Sequence, residues 1–257
     1  MQGQTLKGGL CVFGEVLFDE FPDGRRVLGG APFNVAWHLA AFGEGPLLIS
    51  RVGADADGAA VRDAMHGHDM NTSGLQTDPD LPTGRVRVLF EDGEPGYDIV
   101  HPAAWDAIAA GPGAPACGLL YHGSLALRDE TSRNTLERLR GNGPRLVFVD
   151  VNLRPPWWNR EQVLANVQGA HWVKLNHHEL DELAGGDAAG DGVAHFIETN
   201  DLDGLLVTAG ENGATVYTAQ GEEFRARPMP ATEVVDTVGA GDALSSVMIL
   251  GLIRGWR

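Results

Sequence analysis

The stretch DTVGAGDAL, Asp236 to Leu244, sets two glycines around an alanine and then a lone carboxylate ahead of an apolar run. The residues after Asp242, ALSSVMILGLI, are apolar nearly all round, as in a buried helix. The glycine loop therefore feeds a helix N-terminus. Amides of Gly239, Ala240 and Gly241 would point outward there unbonded, and with the helix dipole they favour an anion such as a phosphate oxygen. The same dipole is expected to hold Asp242 ionised. A carboxylate beside an anion cradle repels phosphate. It suits a hydroxyl that must be oriented and relieved of its proton while attacking phosphorus. The competing reading is a glycine turn in which Asp242 merely caps a helix, and this stretch alone leaves both open. A dinucleotide fingerprint is incomplete, since its third glycine is Leu244 here.

A second group lies at NHHE, Asn176 to Glu179, after an expected strand and before an expected helix. Asn at the N-cap with Glu three residues on is a capping box. A Glu at the carboxyl edge of a sheet can also hold a hydrated Mg²⁺. His177 and His178 are adjacent and share no helix face, so they read as solvated surface. His122 and His171 read as core or strand-end histidines. Other phosphate devices are excluded. Of the two lysines, Lys7 and Lys174, neither is followed by Ser or Thr after a glycine-rich loop, which removes a Walker-type loop. The signatures of protein kinases occur nowhere.

The elements that must position these groups alternate along the chain. GLCVFG, PLLISRVG, GLLYHGS, RLVFVDVN, HWVKLN and GLLVTAG are apolar runs that read as buried strands, most followed by helix. This is the form of βαβ units with a mainly parallel sheet, whose ligands gather at the carboxyl edge. APFNVAWHLAAFG reads as a helix with Pro32 in its first turn, Val35, Leu39 and Phe42 on one stripe, and Gly43 as its stop. Two stretches break the rhythm. GRVRVLFEDGEPGYDIVH alternates Val86, Val88 and Phe90 with Arg85 and Arg87, turns at Asp92-Gly93 and returns through Tyr97 and Ile99, an antiparallel hairpin. VLFDEFPDGRRVLGG is a second extended excursion, and the two together are expected to form a small β-sheet over the main one.

At 257 residues the chain can bury roughly 70 to 75% of its unfolded surface, enough for a core without disulfides or structural metal. Cys11 and Cys117 both lie in apolar stretches and are expected to be buried thiols rather than a bridge, which suits a reducing cytoplasm. A net charge of −16 with scattered basic residues argues against nucleic acid or an anionic membrane as partner. No apolar run approaches the roughly 20 residues that span a bilayer, and a soluble, cytoplasmic protein is expected.

Taken in order, GGAPFNVAWHLAAFG, VGADADG, DVNLRPPWW, VKLNHHEL, VTAGENGA and DTVGAGDA resemble the ribokinase-like (PfkB) carbohydrate kinases, most closely their bacterial fructokinase-like branch. The resemblance runs from about Leu10 to the last helix. It implies a three-layer α/β/α fold with a mainly parallel sheet and a β-sheet lid built from residues 15–29 and 83–101, all as one domain over 1–257. It implies ATP-dependent phosphorylation of a sugar hydroxyl, most closely that of fructose, with Mg²⁺ and a monovalent cation such as K⁺. Ribose, nucleoside and 2-keto-3-deoxygluconate kinases share the scaffold, and Arg85, Arg87 and Arg154 leave a carboxylate-bearing substrate open.

By the same resemblance Asp242 is the catalytic base, and Gly239, Ala240 and Gly241 form the anion hole. Asp19, Gly30 and Asn34 are sugar contacts, and Gly29-Gly30 is the hinge between lid and main sheet. Arg154 is either a contact to substrate or phosphate oxygens or a surface arginine. Lys174 is a phosphate contact. Asn176 and Glu179 form the N-x-x-E motif that organises Mg²⁺ and phosphate through water. Thr208, Gly210 and Gly213 match the nucleotide loop, with Ala209 in place of the commoner leucine. The family often pairs into homodimers through the lid. Its members usually continue beyond the last helix, supplying part of the adenine pocket and backbone oxygens for the monovalent cation, whereas this sequence ends at GWR. A truncated form, cover from a partner chain and impaired nucleotide binding are the readings that departure raises. The last of them makes a sugar- or nucleotide-binding protein without turnover the alternative function. A dehydrogenase is set aside by the incomplete fingerprint.

Overall fold

The computed structural model describes residues 9–91, 94–111, 115–185, 191–228 and 239–256. The chain begins with β1 (Gly9–Phe13), crosses into β2 (Leu17–Glu20) and β3 (Arg26–Gly29), and returns through α1 (Ala31–Ala41) to β4 (Leu47–Gly53), α2 (Ala56–Gly67) and β5 (Leu75–Asp78). It leaves again for β6 (Gly84–Glu91) and β7 (Glu94–Ile99), then resumes with β8 (Cys117–Gly123), α3 (Glu130–Gly141) and β9 (Leu146–Asp150). There follow α4 (Arg160–Val167), β10 (Trp172–Asn176), α5 (His177–Ala184), α6 (Asp191–Thr199), β11 (Gly204–Thr208), β12 (Ala214–Thr218), β13 (Glu223–Ala226) and α7 (Ala240–Arg254).

Nine strands form the main sheet in the order β13-β12-β11-β10-β9-β8-β1-β4-β5. All neighbours from β5 to β11 run parallel, and β12 and β13 are added antiparallel. The chain winds from β1 outward to β5, then from β8 outward to β13, so the direction reverses between β1 and β8. A crevice opens at the carboxyl ends of such a pair, the usual ligand position in open α/β sheets.

The strands are apolar on both faces because helices cover both. Val12, Leu119, Tyr121 and Phe148 pack with α1, α2 and α7 on one side. Phe13 and Leu120 pack with α3, and Val147, Val149, Val173 and Leu175 with α4, α5 and α6, on the other. This is the three-layer arrangement expected.

The second sheet has the order β3-β2-β6-β7. β6 and β7 pair as the expected antiparallel hairpin, and β2 joins β3 antiparallel and β6 parallel. The expected turn at Asp92-Gly93 lies outside the described residues. Alternation puts Leu17, Asp19, Val86 and Val88 on one face of this lid, and Phe18, Glu20, Arg85 and Arg87 on the other.

Two expectations are corrected. Cys11 and Cys117 are joined as a disulfide rather than being separate thiols, with Cα atoms 5.7 Å apart. Each sits on one of two adjacent parallel strands, a proximity hidden by a sequence separation of 106. Phe42 does not extend the buried stripe of α1. The helix ends at Ala41, Phe42 becomes its C-cap, and the ring is 41% exposed. Among the described residues, no helix is long and apolar enough to cross a membrane.

Candidate active site

A cavity of about 390 Å³ lies between the lid and the carboxyl ends of β1, β8, β9 and β10. Of the expected site residues it is lined by Asp19, Gly30, Asn34, Arg154, Lys174, Asn176, Glu179, Thr208, Gly239, Gly241 and Asp242. Ala240, Gly210 and Gly213 do not line it. Gly210 and Gly213 sit in the turn from β11 to β12, where Gly213 has φ +93° and a Cβ would overlap the carbonyl of Ala226. The close pass of β13 is enough to require that glycine.

Asp242 stands in the first turn of α7, whose N-cap is Gly239 at φ +79°. Asn34, on α1, donates from Nδ2 to Asp242 Oδ2 over 2.8 Å. The dipole was expected to keep this carboxylate ionised, and burial wins instead. Burial raises its pKa to about 6, against the hydrogen bond from Asn34. The group is thus poised to exchange a proton near neutrality.

Beside it, Gly241 leaves an open cradle. A Cβ there would stand 3.3 Å from the Lys174 ammonium, so glycine keeps the space between helix N-terminus and lysine free. Lys174 is 8% exposed and donates to Asp150 Oδ1 over 2.7 Å. Burial pulls its pKa down, but Asp150, joined by Asp242 and Glu179, more than offsets this and holds the ammonium above its ordinary value. Asp150 Oδ2 accepts from Tyr121 and from Ser245 Oγ, at 3.1 and 2.6 Å, so one buried carboxylate ties β8, β9, β10 and α7 together. The cradle thus has a fixed cation beneath it and a fixed helix end above.

Asn176 and Glu179 form the capping box of α5, with Asn176 Oδ1 accepting from Glu179 N and Glu179 Oε2 from Asn176 N, each 2.9 Å. Glu179 Oε1 also accepts from Leu153 N at 3.0 Å. Burial raises its pKa, against those backbone bonds. Both oxygens are engaged by amides, yet each keeps a lone pair that a water can reach. Such a group fits a hydrated cation better than direct coordination. The cradle and Lys174 fit a polyphosphate.

On the lid side, Asp19 Oδ2 lies 3.2 Å from where a Cβ on Gly29 would stand. Burial raises the Asp19 pKa, opposed by Arg154. Arg154 is exposed, with its guanidinium carbon 5.8 Å from the Tyr97 ring centroid, so its surface lies at the cavity mouth. Arg85 and Arg87 do not line the cavity. They bond Asp57 and Asp98 on the far face of the lid, which leaves Arg154 as the lining arginine. Gly30, at φ +103°, caps α1, and a Cβ there would come within 2.7 Å of the Glu15 carbonyl. Two lid connections cross at that point without room for a side chain.

His177 and His178 are exposed, as expected, with ring centroids 3.8 Å apart. His171 Nδ1 accepts from Val147 N, and His122 is fully buried with Nδ1 near the Gly123 carbonyl. Three further polar groups line the cavity, Glu15, Asp150 and Asn152. Glu15 was visible only as a lone acid in an apolar run, and Asp150 and Asn152 only as members of the DVNLRPPWW motif. Glu15 is 2% exposed, and burial raises its pKa to about 7, with its own backbone amide opposing.

Comparison with known proteins gives a consistent picture. Residues 13–257 match the pfkB family carbohydrate kinase profile. A fructokinase of Klebsiella pneumoniae is 32% identical, the match covering 96% of this chain and 85% of that protein. A crystal structure of fructokinase with bound ATP from Xylella fastidiosa superposes with a TM-score of 0.84 at 23% identity, covering 98% of this chain and 83% of that one. Aminoimidazole riboside kinase from Salmonella enterica, complexed with aminoimidazole riboside and an ATP analogue, superposes at 0.79 with 26% identity, over 96% of this chain and 85% of that one.

Proposed function

The chain belongs to the pfkB family of carbohydrate kinases, and on that premise we propose that it transfers the γ-phosphate of ATP to a hydroxyl of a monosaccharide, with fructose as acceptor. The observation that carries this reading is the Asn34–Asp242 pair standing beside the open glycine cradle and Lys174 in one cavity with the lid's Asp19. The sugar enters under the lid and is oriented by Asp19, Asn34 and the backbone at Gly30. Asn34 holds Asp242 Oδ2, and Oδ1 is the oxygen we assign to the acceptor hydroxyl. Asp242 takes the hydroxyl proton as the oxygen attacks the γ-phosphorus, and the bond from that phosphorus to the β–γ bridging oxygen breaks to release ADP.

Charge that develops on the transferring group faces the amides of Gly239 and Gly241 and the ammonium of Lys174. Asp150 keeps that ammonium charged and aimed. Asn176 and Glu179 would hold Mg²⁺ through water, and the ion when bound neutralises charge on the β- and γ-phosphates. Thr208 lines the nucleotide side of the cavity.

A riboside is the second reading. It is favoured by the Salmonella enterica neighbour and by Tyr97, whose ring, with Val86, Val88 and Ile99, offers an apolar wall to a planar base. The test measures ADP formation with Mg·ATP against fructose, ribose, aminoimidazole riboside and 2-keto-3-deoxygluconate. The proposal expects the highest kcat/KM with fructose. Preference for the riboside would move the assignment to the second reading, and no turnover with any acceptor would overturn both in favour of a binding protein.

A further inference from the structure

The motif VGADADG is not absorbed by the cavity. Asp55 of that motif caps α2, accepting from Gly58 N at 2.7 Å, and its carboxylate also accepts from Thr83 N and Thr83 Oγ1 at 2.9 and 2.6 Å. Thr83 is the residue immediately before lid strand β6. Asp57, two residues on, is 8% exposed at its side chain and faces the lid itself. Its Oδ2 accepts from Arg26 Nη2 at 2.6 Å and from Arg85 Nη2 at 2.9 Å. Glu20 completes the group, 3.3 Å from Arg26 Nε and 3.6 Å from Arg85 Nε.

These charges come from three lid strands, β2, β3 and β6, and from the first turn of a helix that belongs to the main sheet. Two guanidinium groups and two carboxylates balance one another. The pattern is set by strand register. Glu20 pairs with Arg26 across β2 and β3, and Phe18 with Arg85 across β2 and β6, so all three charged side chains emerge on the lid face away from the cavity. The first turn of α2 further favours the Asp57 charge. The lid also packs on the main domain through Leu17, Val86 and Ile99 on one side and Phe18 and Leu28 on the other, and two of its chain crossings contain Gly14 at φ +148° and Gly30 at φ +103°. Such backbone is compatible with pivoting.

We propose that Asp57 is a positioning residue, which pins the back of the lid through Arg26 and Arg85 so that Asp19 and the apolar lid face stay over Asp242. It touches no substrate. It acts by keeping the lid in the position where the acceptor cavity is complete, and it rests on the kinase reading above. Loss of the pin leaves the lid in several positions, and apparent acceptor affinity falls with the fraction that is competent. At saturating acceptor the competent position refills, so chemistry at Asp242 continues.

The test compares the parent protein with Asp57→Asn and with Arg26→Ala/Arg85→Ala. We expect acceptor KM to rise by about threefold to tenfold, with kcat within about twofold of the parent, the split that loss of a competent population gives. Hydrogen exchange of ligand-free protein supplies a readout independent of turnover. Amides of β2, β3 and β6 should exchange faster in Asp57→Asn, with β8 to β11 unchanged. The exchange arm decides the clamp even where no sugar is turned over. Unchanged lid exchange with unchanged KM overturns the proposal. So does faster exchange throughout the main sheet, which would make Asp57 a general stabiliser.

Discussion

At Asp242 two opposing influences meet, and their balance decides what the group can do. The helix end favours the carboxylate, burial disfavours it, and the outcome is a pKa raised to about 6. Glu15 on the same cavity wall is raised further, to about 7, by its complete burial. Its folded value lies above its ordinary value of 4.5, so its contribution to stability is fully present below about pH 4.5 and is lost as pH rises through about 7. Glu15→Gln keeps the shape without the charge. Relative to the variant, the parent should lose about 2 to 3 kcal/mol of unfolding free energy between about pH 5 and about pH 8, read by urea melts. Parallel pH curves for the two proteins would show that Glu15 does not titrate there. Asp242 and Asn34 were legible because each stands in a recognisable local motif. Glu15 was not, since the charged groups that act on it, Asp242, Arg128 and Asp150, are all distant in sequence.

At the scale of elements, the helix α7 presents its first amides beside the Lys174 ammonium, and Gly241 keeps the gap between them open. Gly241→Val places a branched side chain beginning 3.3 Å from the lysine nitrogen. We expect kcat/KM for ATP to fall by about 10²- to 10³-fold, the scale of losing one donor to developing charge, with acceptor affinity retained. Steady-state kinetics with ATP varied at saturating acceptor reads this, and an unchanged kcat/KM for ATP would remove the cradle from the account. The capping box at Asn176 was readable because it needs only four consecutive residues. Six of the seven parallel strands were readable from their doubly apolar runs, and the seventh, β5 at the sheet edge, has no such run and went unread. The half-exposed β12 and the exposed β13 lack such runs and went unread. Gly213, taken as part of a nucleotide loop, has a complete structural reason in the approach of β13. The Cys11–Cys117 pairing follows from strand neighbours, and no local signal carries that.

At the scale of the molecule, two sheets share one cavity, and the reversal of strand order between β1 and β8 sets where it opens. The βαβ rhythm and the two interruptions were enough to anticipate a parallel sheet with a β lid. They did not contain the pinning of that lid, because Arg26, Arg85 and Asp57 meet only once three strands and α2 are assembled. The central claim is that Asp242 moves the acceptor's proton while other groups bind the sugar. The direct measurement pairs acceptor affinity by calorimetry with ADP formation in Asp242→Asn. The account predicts affinity within a few-fold of the parent and turnover lower by about 10²- to 10⁴-fold, the range of a lost general base. Turnover close to that of the parent, with the acceptor still bound, would contradict it.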